Sequence, residues 1–368
     1  MAKVRVLVVE DSLTIRKYLV EALRADPQIE VVGEADDGQK AIELCEKLRP
    51  DVISLDMMLP VLNGLAATEH IMAYFPTPIL VVSASTNRGE LFKTYEALAA
   101  GAVDVLEKPT GDSFGDEWES KYRRTIKMVS RIRVITHPRA RLADFQAARV
   151  GLAQRGPVNQ PSVSGLTGLS DDAGSFRCVA IGASTGGPGA VAHVLRSLPP
   201  QFPLPVLVVI HIASPFAVAL TEWFGTVASI PVRDCVDGQL MPQVGQPGVI
   251  MAPPDRHLVL KSGRLWTTRD AERHFCRPSV DVLFESLARE MGHSVVACLL
   301  TGMGRDGATG LLAIKKAGGM TIAQDEPSSV VYGMPRAAIE LDAARRVLAL
   351  DEIGPALLHL AQLSSAAD

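Results

Sequence analysis

Short runs of Val, Ile and Leu alternate along the first 125 or so residues with longer stretches in which apolar side chains recur at helical spacing. The runs predict strands at Val4 to Val9, Val31 to Glu34, Val52 to Leu55, Ile79 to Val82 and Val103 to Leu106. Helices are predicted between them, the first capped by Ser12 and running to about Ala25. The second opens at Gly38 and stops at Pro50, and two more follow Gly64 and Asn87. Strands that are apolar throughout, separated by amphipathic helices, predict a parallel sheet covered on both faces. After Phe176 the alternation returns, with strands near Cys178 to Ile181, Val206 to Ile210, Ser294 to Leu300 and Met320 to Ala323, and helices after the first three. Gly245 to Trp266 reads as short strands and turns.

Between these halves the pattern lapses. Lys121 to Arg141 holds eight Lys or Arg and no acidic residue, and Gly156 to Ser175 is poor in large apolar groups and rich in Gly, Pro and Ser. The first stretch reads as the solvated end of a basic helix and the second as a flexible linker. The expected organisation is therefore a domain over residues 1–125, a connecting segment over 126–175, and a second domain over 176–368.

The composition narrows the class of protein. With 368 residues, 47% of them hydrophobic, the chain is long enough for two α/β cores, and its net charge of −4 favours neither nucleic acid nor anionic lipid. No helix-turn-helix pattern follows the basic stretch, so DNA binding is not expected. Five cysteines at 45, 178, 235, 276 and 298 are odd in number and far apart, which suits a reducing compartment and small core residues. The apolar run at the N-terminus is too short for a signal peptide, and the longest later run, Leu204 to Ile210, cannot span a bilayer. A cytoplasmic protein without membrane insertion is expected.

In open α/β sheets, ligands sit beyond the carboxyl ends of the strands. In the first half those ends carry Glu10-Asp11, Asp56, Ser83 and Lys108-Pro109. Carboxylates gathered at one edge repel one another unless a hard cation such as Mg²⁺ stands among them, and a lysine with a hydroxyl completes an anion site. An aspartate there can accept a phosphoryl group while Mg²⁺ and the lysine neutralise the developing charge. Each carboxylate singly would read as a helix cap or solvated loop; the coincidence of five strand-end residues argues for a site.

In the second half the stretch CVAIGASTGGPGAVAHVLRSLPP, Cys178 to Pro200, takes a strand through a glycine-crowded turn into a helix. Gly182-Ala183-Ser184-Thr185-Gly186 fits G-x-S-x-G, which projects a serine hydroxyl above a sheet. A structural turn or a phosphate cradle is also compatible, although the glycines match neither common nucleotide-binding spacing. A serine nucleophile needs a base, and His211, at the end of LPVLVVIH, is the best placed of eight histidines. His193 lies on the helix after Ser184, while His257, His274 and His293 fall in loop-like surroundings. The third strand end, Thr301 to Gly310, supplies Asp306 in TGMGRDGATG, read equally as an orienting carboxylate or a helix N-cap. The order Ser, His, Asp differs from that of the α/β-hydrolases.

These residues carry two resemblances. The first half resembles a response-regulator receiver domain, which implies a flavodoxin-like (βα)5 fold with Asp56 as phosphoacceptor. It also implies Glu10, Asp11, Asp56 and the Met58 carbonyl as Mg²⁺ ligands, and Ser83 and Lys108 as switch residues. Glu10 replaces a more usual aspartate, and Val105 stands where such domains usually carry an aromatic switch residue. In the second half IGASTGGP, His211, CRPSVDVLFESLA, LLTGMGRDGATGL and TIAQDEPSSVVYGMPRAAI resemble the catalytic domain of chemotaxis protein-glutamate methylesterases. That implies a doubly wound, mostly parallel esterase domain of Rossmann-like topology. Ser184 matches the nucleophile, His211 the base, Asp306 the orienting carboxylate, and the amides of Thr185 and Met303 the oxyanion hole; no cofactor is expected for the ester chemistry. In the segment Ala213 to Val218 the family usually carries Phe-Thr-Arg where this chain has Phe216-Ala217-Val218, so that hydroxyl and positive charge are lost.

The resemblance implies a phosphorylation-activated hydrolase that removes methyl groups from glutamates of methyl-accepting chemoreceptors, releases methanol, and can also deamidate receptor glutamines. A chemosensory histidine kinase would be the phosphodonor. Two other classes compete with this reading: a catalytically weak paralogue serving as a response-regulator scaffold, and a nucleotide-binding α/β protein.

Overall fold

The first alternation folds as β1 (Val4–Val9), α1 (Leu13–Arg24), β2 (Ile29–Ala35), α2 (Gly38–Leu48), β3 (Val52–Leu55), α3 (Gly64–Tyr74), β4 (Ile79–Ser83), α4 (Arg88–Ala99), β5 (Asp104–Glu107) and α5 (Asp116–Val129). The computed structural model describes residues 2–84, 87–109, 115–132, 134, 175–212 and 214–365, and it divides into two units, Met1–Gln160 and Pro161–Asp368. Residues 156–174, expected as linker, lie outside the described residues, as does the basic stretch from 135 to 141.

In the first unit all strands pair in parallel in the order β2-β1-β3-β4-β5, the doubly wound arrangement whose ligand crevice lies at the β1/β3 switch point. Val6 to Val9, Val52, Ile53, Leu55 and Ile79 to Val82 are almost fully buried, as strands covered on both faces must be. Asp37, Asn63 and Asn87 cap α2, α3 and α4 through their side chains, whereas Ser12 occupies the cap position of α1 without a side-chain bond. Part of the basic stretch is not a solvated face: Arg123 donates to the Ala22 carbonyl at 2.9 Å and Lys127 pairs with Asp26 at 2.6 Å, both against α1 and its end. Ile126 and Val129 of the same helix are fully buried.

The second unit runs β6 (Cys178–Ala183), α6 (Gly187–Ser197), β7 (Pro205–Ile210), α7 (Ser214–Ala217), α8 (Leu220–Val227), β8 (Val232–Asp234), β9 (Gln239–Leu240), β10 (Gly248–Met251), β11 (His257–Lys261) and β12 (Arg264–Thr268). It continues with α9 (Val280–Glu290), β13 (Val295–Leu299), α10 (Ala308–Lys316), β14 (Met320–Gln324), α11 (Met334–Glu340), β15 (Arg346–Leu348) and α12 (Leu350–Ser365). Seven strands form one parallel sheet ordered β15-β14-β13-β6-β7-β10-β8, and β11, β12 and β9 make a small antiparallel sheet.

The short strands expected between Gly245 and Trp266 are β10, β11 and the start of β12, and the first of them joins the main sheet beside β7. His257 is likewise no loop residue but the fully buried first residue of β11. Because β7 adds to one side of β6 and β13 to the other, the strand order reverses at β6. A crevice opens at such a point, above the carboxyl ends of β7, β6 and β13. Those are the strands that end in His211, Ser184 and the Asp306 loop. Among the described residues no helix is long and apolar enough to cross a membrane.

Candidate functional site

In the first unit, Asp56 follows β3 and is 2% exposed, and its Oδ1 accepts the Met57 amide at 2.7 Å. Gly64 makes this packing possible: a β-carbon there would stand 2.3 Å from the Asp56 carbonyl oxygen, so only glycine lets α3 start against the end of β3. Lys108 Nζ stands 2.8 Å from Glu10 Oε2 and 3.0 Å from Asp56 Oδ1. The first contact is an ion pair by distance, yet its angles leave the buried Oε2 without a directed hydrogen bond. Burial, and then the charge of Asp56, lift the Glu10 carboxyl to about 7 against the pull of Lys108. Burial also works against the Lys108 ammonium, but Asp56 and Glu10 outweigh it and raise its pKa above the ordinary lysine value.

Oxygens of Glu10, Asp11 and Asp56 all lie within 4.8 Å of one another. Three hard oxygen donors, one of them buried and lacking a directed hydrogen bond, fit Mg²⁺ better than they fit one another. Met58 follows in the same loop with a half-exposed side chain. Ser83 ends β4, fully buried, and donates to Glu90 Oε1 at 2.8 Å instead of facing the carboxylates. Glu90 and Arg16, which donates to the Glu10 carbonyl at 2.6 Å, carried no motif and were missed by sequence reasoning. Val105 is buried in β5.

In the second unit, Ser184 leaves β6 half-buried, and its amide donates to the Thr301 carbonyl at 3.0 Å. The serine is not among the positive-φ residues; the left-handed position is Gly186, at φ +74°. Thr301 ties the turn together, since its hydroxyl donates to the Thr185 carbonyl at 3.0 Å and accepts the Val331 amide at 2.8 Å. Gly302 then lies directly against the serine, and Met303, half-exposed, comes next. Thr185 thus follows Ser184 on the helix side, and Gly302, next to Met303 in the loop after β13, faces the serine from the other.

His211 follows β7, with its amide on the Ala183 carbonyl at 3.0 Å. Its Nε2 meets Asp306 Oδ2 at 2.9 Å. Asp306 is not the N-cap of the helix that follows it, because Gly307 takes that place. Its carboxylate serves α9 instead, where Oδ2 also accepts the Val280 amide at 2.7 Å and Oδ1 accepts the Ser279 hydroxyl at 2.7 Å and the Asp281 amide at 3.1 Å. Asp281 returns the device by accepting the Gly310 amide of α10 at 2.6 Å. The expected cap of the following helix is therefore replaced by a capping role at α9, and the same carboxylate holds the His211 ring.

Burial alone would raise the Asp306 pKa, but His211, Ser279 and the Val280 amide outweigh it and hold the carboxyl below the ordinary aspartate range. Burial likewise opposes charge on the His211 ring, while Asp306 and Cys276 lift its pKa from 6.5 to about 9. With Nε2 spent on Asp306, Nδ1 is the nitrogen left to take a proton. Among the described residues no hydrogen bond joins the Ser184 hydroxyl to it, and bonds of this kind commonly close only with substrate in place. Nδ1 is instead 3.6 Å from Cys276 Sγ.

Sequence reasoning did not find Ser279, the buried His257 whose Nδ1 accepts the Ser279 amide at 3.1 Å, or Cys276. Cys276 was expected among the core thiols and is half-buried beside His211, whereas the other four cysteines are buried. His193 pairs with Asp351 and His274 with Asp281, so neither competes for the serine. Ala213 lies outside the described residues; within the same segment Phe216 is fully buried and Val218 is exposed. A hydroxyl at a strand-to-helix turn and an imidazole oriented by a buried carboxylate are groups that can carry out acyl transfer to water.

Residues 179–357 match the family model described as CheB methylesterase, and residues 6–113 match the response regulator receiver domain. A protein-glutamate methylesterase/protein-glutamine glutaminase of Nitrosospira multiformis is 40% identical over 97% of each chain. Relatives of the same description from Myxococcus xanthus and Anaeromyxobacter dehalogenans are each 41% identical, over 96% and 97% of both chains respectively. The fold, the strand-end chemistry and these relatives agree, and the chain belongs to the CheB methylesterase family, with a response regulator receiver domain ahead of its hydrolase domain.

Proposed function

We propose that this chain is a phosphorylation-activated hydrolase of the cytoplasm that demethylates glutamate methyl esters, and deamidates glutamines, on methyl-accepting chemoreceptors. The observation that carries the reading is the Asp306 to His211 Nε2 bond, which orients the imidazole and leaves Nδ1 as its basic nitrogen. His211 takes the proton of Ser184 as its oxygen attacks the side-chain carbonyl, and the amides of Thr185 and Met303 stabilise the oxyanion. The protonated ring gives its proton to departing methanol, or to ammonia from a glutamine, and water then releases the acyl group by the same steps in reverse.

A receiver domain implies Mg²⁺-dependent phosphorylation. The proposed phosphoacceptor is Asp56, with Glu10, Asp11, Asp56 and the Met58 carbonyl to hold the ion, which when bound neutralises charge on the transferring phosphoryl group. Lys108 and Ser83 would take up the new phosphoryl oxygens, and a chemosensory histidine kinase would supply the group. In this reading residues 1–125 form the receiver, 126–175 the connection and 176–368 the hydrolase.

The test is methanol release from methylated receptors, with and without a small-molecule phosphodonor. Ser184→Ala should release none while keeping the far-UV spectrum and melting transition of the parent, and Asp56→Ala should release methanol at a rate indifferent to the phosphodonor. Hydrolysis persisting in Ser184→Ala would remove the triad reading.

A further inference from the structure

Cys276 is held beside His211 by a hairpin whose geometry its sequence does not favour. Its amide donates to the Arg273 carbonyl at 2.9 Å and the Arg273 amide returns to its carbonyl at 3.2 Å. The two residues at the tip, His274 and Phe275, both take left-handed backbone angles, at φ 54° and 61°. Such angles cost on the order of 1–2 kcal/mol per non-glycine residue, so the hairpin persists because it is anchored. Arg273 grips Glu285 of α9 through two 2.7 Å hydrogen bonds. The imidazole is equally fixed from its far side by Asp306.

The thiol and Nδ1 of His211 are thereby fixed 3.6 Å apart with the thiol half-buried. A tetrahedral zinc ion, with a thiolate at about 2.3 Å and an imidazole nitrogen at about 2.0–2.1 Å, sets its two ligand atoms about 3.5 Å apart. His211, Cys276 and Asp306 also offer ligand atoms within 4.8 Å of one another. Asp306 is already saturated by His211, Ser279, Val280 and Asp281, so it serves as the outer carboxylate that fixes the histidine tautomer, as in zinc sites generally.

We propose that His211 Nδ1 and Cys276 Sγ form an inhibitory site for Zn²⁺ or a similarly thiophilic divalent ion, with water completing the shell. Binding breaks the S–H bond and, where the ring is protonated, the Nδ1–H bond, releases these protons to solvent, and occupies the lone pair that would accept the Ser184 proton. The ion therefore blocks the base; this consequence rests on His211 acting as base, whereas the site itself does not. With two protein ligands instead of the three or four of most zinc centres, occupancy is reversible by chelator.

The experiment uses the full chain and two readouts. Methanol release is titrated with Zn²⁺, each protein being scored against its own chelator-treated rate. Cys276→Ser and Cys276→Ala should need at least about tenfold more Zn²⁺ for half-inhibition, since losing even a partner that only orients a ligand costs about 10–100-fold in metal affinity. Independently, Co²⁺ should give a thiolate-to-metal absorption band in the parent and in Ser184→Ala, and none in either Cys276 variant. The oxygen ligands of the receiver site contribute no such band, and the other four thiols are buried. A parent chain without the band, or Cys276 variants as zinc-sensitive as the parent, overturns the proposal. If Ser184→Ala keeps both the band and full hydrolysis, the triad reading fails and the metal site stands.

Discussion

A β-carbon placed on Gly302 would stand 2.8 Å from the β-carbon of Ser184 and 2.3 Å from Met334 Sδ. No real β-carbon sits so close to another, so Gly302→Ala must push the serine or its turn aside. A shift of about 1 Å in a reacting group can cost on the order of 100-fold in rate. The variant is expected to fold, to melt lower than the parent by an overpacking cost of roughly 1–3 kcal/mol, and to lose kcat/KM by about that factor. Parent-like turnover would show that the turn yields without moving the hydroxyl.

Asp306 orients His211 and closes the N-terminus of α9, so its removal should damage stability as well as rate. Asp306→Ala leaves the buried Ser279 hydroxyl and two helix amides without their acceptor, at about 1–3 kcal/mol for each unsatisfied buried group. Chemical denaturation should register a loss on the order of 3–5 kcal/mol. Ser279→Ala, which removes one of those bonds and the cap of α9, should lose about 1 kcal/mol and retain most of its activity. Equal stability of Asp306→Ala and the parent would contradict the capping role.

The base must be neutral to act, and the His211 ring is held near a pKa of about 9. Hydrolysis should therefore climb with pH through the mildly alkaline range on a single ionisation. Cys276 is one of the groups lifting that value, so in Cys276→Ala the climb should move to lower pH, while His274→Ala should leave it in place. The folded pKa lies above the ordinary value of 6.5, which fixes the sign for stability. The contribution of this ring is complete below about 6.5 and fades as pH rises through 9. A kcat/KM profile flat from neutral to alkaline pH would contradict the shift.

In the receiver unit the Ser83 hydroxyl is spent on Glu90, and a hydrogen bond to a charged group contributes about 1.5–3 kcal/mol. Reaching a phosphoryl group on Asp56 means giving that bond up. Glu90→Ala should therefore shift the balance toward the phosphorylated form by tenfold or more, since about 1.4 kcal/mol corresponds to a factor of ten. Titration with a small-molecule phosphodonor should reach half-phosphorylation at a correspondingly lower concentration. An unchanged midpoint would mean that Ser83 does not leave Glu90 on phosphorylation.

Chain-local signals carried most of the architecture. Uninterrupted apolar runs such as Val206 to Ile210 can be stable only inside a sheet covered on both sides, and the polar residue that ends each run marks the functional edge. That rule placed Asp56, Ser83, Lys108, Ser184 and His211 at strand ends before any coordinates. It could not tell that the short run GVIM, one of the strands expected after Gly245, would join the main sheet as β10. It also misread His257, because a histidine buried in a strand looks in sequence like one in a loop.

What the sequence determined by itself was therefore the set of chemically armed strand ends, since the periodicity and punctuation that define them are local. Which ends meet was decided only by the tertiary structure, through the strand order that puts β7, β6 and β13 side by side. The division of Asp306 between His211 and α9, the turning of Ser83 toward Glu90, and the approach of Cys276 to His211 belong to the same class. Each joins groups on different elements, His211 and Cys276 being 65 residues apart, and a distance of 3.6 Å across such a gap depends on packing that no local pattern records.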